Sequence, residues 1–151
     1  MKSLTRTNRP FLSPIRLKSS PPQILIVEDD LALTTVIDQV LYTIDPHIKC
    51  EWVTSAEQAA AKIKERLSES TDHPYDLILA DIFLEGNKSG LELWEFCRDQ
   101  FPDMPIVLTS ALPVDKFLAS IGESMICPPY LPKPFHAGEC RQVLEGMLKY
   151  A

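Results

Sequence analysis

Five residues of the 151-residue chain have side chains that could act on one another, and each closes a short apolar run. Glu28 and Asp29 follow ILIV, Asp81 follows LILA, Ser110 follows IVLT and Lys133 follows YLP. Surface charge in a folded domain normally sits on solvated helix faces, so three carboxylates, a hydroxyl and an ammonium at the ends of apolar segments call for a chemical reason. Two unit charges ~4 Å apart repel by about 4 kcal/mol at an effective dielectric of ~20, so gathered carboxylates need a counter-charge. Oxygen-only donors select a hard cation, and Mg2+ with several retained waters suits them best. Asp30 reads as a helix N-cap rather than a ligand. His47, His73 and His136 stand in loop or helix-start contexts without metal-ligand spacing. Cys50, Cys97, Cys127 and Cys140 also lack it and read as reduced core thiols.

The elements that must position these residues follow from periodicity. Ile24 to Val27 leads into Leu33, Val36, Ile37, Val40, Leu41 and Ile44 at helical spacing, a buried strand followed by an amphipathic helix. The unit recurs: Ile48 to Val53 reads as a strand, and Ala56, Ala59, Ala60, Ile63 and Leu67 mark one face of a second helix capped by Ser55 or Thr54. Asp76 to Asp81 is a third strand, with a helix over Gly90 to Phe101. Ile106 to Ser110 is a fourth, followed by a short helix lined by Val114, Phe117, Leu118 and Ile121 that ends near Gly122. Pro129 to Pro132 precedes a last helix bearing Cys140, Val143, Leu144, Met147 and Leu148. Strands that are apolar throughout, alternating with helices, predict a five-stranded parallel sheet covered on both faces, a doubly wound α/β domain over residues 23 to 150. Ligands of such sheets bind beyond the carboxyl ends of the strands, where the five residues fall.

Composition narrows the function. An apolar content of 45% suffices for one core. The net charge is −6, but residues 1 to 22 hold Lys2, Arg6, Arg9, Arg16 and Lys18 with no acid, so the remainder carries about −11. So acidic a body argues against general nucleic-acid binding, which needs a basic phosphate-contacting face. The basic, Ser- and Pro-rich opening reads as a disordered tail, and its prolines break the helix that an organelle transit peptide needs. No apolar run approaches the ~20 residues of a membrane span and no secretory signal opens the chain, so a cytoplasmic protein with no membrane contact is expected. Trp52 and Trp94 read as packing residues.

The segments LIVEDD at 25 to 30, DLILADIFL at 76 to 84, PIVLTSA at 105 to 111 and YLPKPF at 130 to 135 resemble, in that order, the receiver domains of two-component response regulators. The resemblance implies the flavodoxin-like receiver fold and a role for each residue. Asp81 is the phosphoacceptor, Asp29 the principal Mg2+ carboxylate with Glu28 assisting directly or through water, and the backbone carbonyl of Phe83 completes the protein ligands. Ser110 is the switch hydroxyl, Tyr130 the aromatic switch, and Lys133 the phosphate-binding lysine, aimed into the site by a cis bond to Pro134. An aspartate nucleophile takes the phosphoryl group from a phosphohistidine or a small acyl phosphate, and positioning with charge neutralisation supplies the catalysis. The added charge of about −1.5 to −2 draws Ser110 inward, and Tyr130 turns in behind it, remodelling the face of the fourth helix, fifth strand and fifth helix.

Several positions depart from the family pattern. Glu85 stands where proline is frequent, the loop before Gly90 is one residue longer than usual, and GESMICPPYLPKPF replaces the usual approach to the fifth strand. Phe83 and Leu112 are apolar at positions that control water access, which implies slow hydrolysis of the aspartyl phosphate. A phosphatase with an aspartyl intermediate would want an acid where Phe83 stands, and a nucleotide- or flavin-binding domain would want a glycine-rich loop after the first strand. The alternative from another class is a receiver-like adaptor working by constitutive protein contacts. The expected partners are a histidine kinase or histidine phosphotransfer protein and a downstream effector; no output domain is expected to follow, and homodimerisation through the switch face is left open.

Overall fold

The computed structural model describes residues 21–68, 73–84, 89–122 and 128–149. The tail over 1–20, the loop from Glu85 to Lys88, the stretch from Glu123 to Cys127 and the readings made on them lie outside the described residues.

Five strands, β1 (Gln23–Val27), β2 (Lys49–Val53), β3 (Leu77–Asp81), β4 (Ile106–Ser110) and β5 (Tyr130–Pro132), alternate with five helices. The helices are α1 (Leu31–Ile44), α2 (Ala56–Leu67), α3 (Gly90–Gln100), α4 (Val114–Ile121) and α5 (Ala137–Lys149). All strand pairs are parallel, in the order β2-β1-β3-β4-β5. The expected doubly wound flavodoxin-like sheet is therefore the observed one, with strand order reversing between β1 and β3. Pro22 already contributes to the ladder, its carbonyl accepting the Lys49 N–H at 2.9 Å.

Alternate strand residues face opposite sides of the sheet. Leu25, Val27, Ile78, Ala80, Ile106 and Leu108 pack under α2, α3 and α4, where Ile63, Trp94 and Phe117 sit. Ile24, Ile26, Leu77, Leu79 and Val107 pack under α1 and α5 against Ile37, Leu41, Cys140 and Leu144. Burial on both faces is the reason the strands read as unbroken apolar runs.

The helices start where cap chemistry directs them. Asp30 accepts from the amides of Ala32 and Leu33, Ser55 accepts from Gln58, and Ser89 forms a capping box with Glu92. Gly122 closes α4 at φ 82°, a left-handed conformation that favours glycine. Several expected core positions prove to be exposed: Val36, Leu67, Val114 and Leu118. A helix on a sheet buries only the arc in contact, and these four flank that arc. Trp52 is likewise half outside, because β2 is an edge strand with one open side, whereas Trp94 is buried with Arg98 over its ring.

Candidate functional site

The carboxyl ends of β1, β3 and β5 bring four of the five chemical residues, Glu28, Asp29, Asp81 and Lys133, to one place. Asp81 ends β3 and is 6% exposed, and Glu28, just past β1, is 3% exposed. Lys133, just past β5, places Nζ 2.8 Å from Asp81 Oδ2 and 3.0 Å from Glu28 Oε1. The other Asp81 oxygen accepts the Phe83 N–H at 3.0 Å, and Glu28 Oε2 accepts the amides of Asp29 and Asp30 at 3.1 Å each. The bond from Lys133 to Pro134 is cis, as expected.

These placements set the charges. Burial pushes the Glu28 carboxyl above its ordinary range, further than Lys133 and the Asp30 amide pull it down, and the Asp81 charge adds to the rise. Burial also works against charge on Lys133, but Asp81 and Glu28 beside it more than offset that, so the ammonium is held above its ordinary range and stays charged at neutral pH.

The set suits a divalent metal ion. Glu28, Asp29 and Asp81 each offer a carboxylate oxygen, all within 4.8 Å of one another, with Asp29 exposed on the open side. Glu28 Oε1 is fully buried, and although it lies against the Lys133 ammonium no donor makes a directed hydrogen bond to it, so it has capacity for a cation or a metal-bound water. The donors are all hard oxygens, with no histidine or cysteine among them.

Ser110 ends β4 and is wholly buried. Its hydroxyl accepts the Leu112 N–H at 2.8 Å and contacts the Tyr130 hydroxyl at 3.1 Å, while its carbonyl accepts the Lys133 N–H at 2.8 Å. Tyr130 is thus already turned toward Ser110. The Phe83 side chain is 60% exposed beside the acids.

A family model for the response regulator receiver domain matches residues 24–145. The chain belongs to this family. The receiver is similar to the receiver domain of NtrX from Brucella abortus, at 25% identity and a TM-score of 0.66, covering 85% of this chain and 99% of that one. It spans 27% of a longer NtrX chain. It is also similar in fold to the phosphorylated cyanobacterial phytochrome response regulator RcpA, at 22% identity and TM-score 0.64, covering 84% of this chain and 91% of that one. The Mn2+-bound form of response regulator Rcp1 matches at 23% identity and TM-score 0.63, over 84% and 91%. As a class, receiver domains are phosphoacceptor signalling modules rather than turnover enzymes. They bind a divalent metal and act between histidine kinases and effectors. Among the described residues no helix is long and apolar enough to cross a membrane.

Three features of the receiver escaped the sequence reading. A Cβ on Gly90 would lie 2.1 Å from the Asp81 backbone oxygen, so α3 can start against the acceptor strand only with glycine there. A glycine that opens a helix instead of ending one was the available signal. Phe117 stacks on Tyr130, and Tyr75, Glu51 and Arg66 form a cluster at the opposite end of the sheet. There Tyr75 donates to Glu51, and the Arg66 guanidinium lies 4.6 Å from the Tyr75 ring centre. These pairs join different elements and carry no local pattern.

Proposed function

We propose that this receiver is the phosphoacceptor of a cytoplasmic phosphorelay, receiving a phosphoryl group on Asp81 from a histidine kinase or histidine phosphotransfer protein. Residues 23 to 150 form the working unit. The observation that carries the reading is the buried Asp81 carboxylate with Lys133 on one oxygen and two further acids, Glu28 and Asp29, converging on it.

In the transfer, an Asp81 oxygen forms the new O–P bond while the P–N bond of the donor breaks and the imidazole leaves with a proton. The Phe83 amide and the Lys133 ammonium fix the acceptor carboxylate, and Lys133 neutralises charge on a phosphoryl oxygen. Ser110 and the Ala111 amide would meet another. Asp29, Asp81 and the Phe83 carbonyl would hold Mg2+, with Glu28 direct or through water, and the ion would supply positive charge opposite the phosphoryl oxygens. Apolar Phe83 and Leu112, two residues beyond Asp81 and Ser110, support slow hydrolysis. The signal leaves through protein contacts, and exposed Val114 and Leu118 on α4, next to the Tyr130 and Phe117 pair, offer apolar surface to an effector.

Mg2+-dependent labelling with a small phosphodonor tests this. Wild type should take up one phosphoryl group and Asp81→Asn none, and the label should outlast a chase of minutes. Equal labelling of the variant would defeat the assignment, and loss within seconds would defeat slow hydrolysis alone.

A further inference from the structure

The Tyr130 ring lies face to face with Phe117, centroids 4.1 Å apart and planes 5° from parallel. Phe117 is completely buried in the core beneath α2, α3 and α4, so it does not yield to follow a moving neighbour. The Tyr130 hydroxyl is 2.7 Å from the Leu112 carbonyl oxygen, 3.3 Å from the Ser110 carbonyl oxygen and 3.1 Å from the Ser110 hydroxyl. A phenol has a single proton to give. The nearest acceptor is the Leu112 carbonyl, and donation there leaves the Tyr130 oxygen to accept from the Ser110 hydroxyl. Ser110 Oγ meanwhile accepts from the Leu112 amide, so its own single proton goes to the Tyr130 oxygen, and a phosphoryl group on Asp81 would compete for it. Among the described residues, the Phe117 ring and the Leu112 carbonyl grip Tyr130 independently of Ser110.

Resting on the reading of Asp81 as phosphoacceptor, we propose that Phe117 is a positioning residue that holds Tyr130 inward whether or not Asp81 is phosphorylated. The face made by α4 and β5 is then set before phosphotransfer. Phosphorylation moves the Ser110 hydrogen bond from Tyr130 to the phosphoryl group and leaves the ring where it is, in place of the inward turn that the family resemblance implies. An effector that reads this face therefore meets the same ring position in both forms, and the switch acts through the Ser110 side of the site.

Aromatic 1H–13C NMR of the Tyr130 ring in the full chain tests this, with Tyr130→Phe for assignment and beryllofluoride with Mg2+ as phosphate mimic. The Tyr130 resonances should be displaced by the Phe117 ring current to the same extent with and without the mimic. Phe117→Leu should abolish the displacement, lower the inward-to-outward ratio about tenfold and make the ring respond to the mimic. Ser110→Ala should leave the ring in place. A wild-type ring that gains its displacement only with the mimic, or a ring released by Ser110→Ala, overturns the proposal, and these two spectra decide it even where Phe117→Leu fails to fold. Mimic binding is read separately at the Asp81 and Lys133 backbone amides. Silence there defeats the phosphoacceptor reading, while the Tyr130 displacement in Ser110→Ala still tests the hold of Phe117.

Discussion

Glu28 is the residue at which stability and function oppose each other most directly. Its carboxylate is buried, half of it satisfied by two amides and the other half facing Lys133 without a directed hydrogen bond. Because burial raises its folded pKa above the ordinary 4.5, the folded state binds the proton more tightly than the unfolded chain does. Below 4.5 both states are protonated and the carboxyl costs nothing; as pH rises through the folded pKa the cost of a buried charge develops in full. Glu28→Gln should therefore melt at a higher temperature than wild type in EDTA at pH 7, with the gap closing as pH falls toward 4.5. The same variant should bind divalent metal more weakly and gain less in Tm when metal is added. Equal melting curves in EDTA at pH 7 would show that Lys133 already offsets the burial. At this scale the sequence was informative: Glu28, Asp29, Asp81 and Lys133 could be named because an acid or ammonium closing an apolar run is rare. The direction in which Ser110 turns could not, since a hydroxyl fits either Tyr130 or the acid cluster and only side-chain packing selects.

Among the elements, the first residue of α3 is held closely against the end of β3. The Gly90 amide donates to the Ile82 carbonyl at 3.0 Å, and the space a side chain would need is filled by the Asp81 peptide group, which is backbone and cannot swing aside. Gly90→Ala should destabilise the domain by about 1–3 kcal/mol, read as a lower urea midpoint, and should slow phosphodonor labelling by displacing Asp81. An unchanged midpoint with unchanged labelling would show that α3 can shift without cost. The starts of α1 and α2 were legible here because Asp30 and Ser55 carry their own cap chemistry, whereas the Ser89 capping box emerged only in the structure. The outer limits of the apolar stripes were less so: Val36, Leu67, Val114 and Leu118 continue the helical period past the arc that the sheet covers.

For the molecule as a whole, one sheet joins two apolar clusters, and each contains a cysteine that reports on it. Burial pushes the Cys97 thiol, under α2, α3 and α4, up to about 12, and the Cys140 thiol, on the α1 and α5 side, up to about 11. Both should resist alkylation at pH 8 in the native state, and both should become reactive at the same urea concentration if the domain unfolds as one unit. Mass mapping of labelled peptides checks this, and separate midpoints for Cys97 and Cys140 would divide the core in two. The sequence by itself determined the alternation of five strands with five helices, the burial of the strands on both faces and the acids, hydroxyl and lysine at their ends, because hydrophobic period and residue chemistry are local properties. Only the tertiary structure decided that Lys133 bridges Asp81 and Glu28, that Gly90 must lack a side chain and that Phe117 stacks on Tyr130. Each depends on distances between different elements, and those distances exist only once the elements have packed on the sheet.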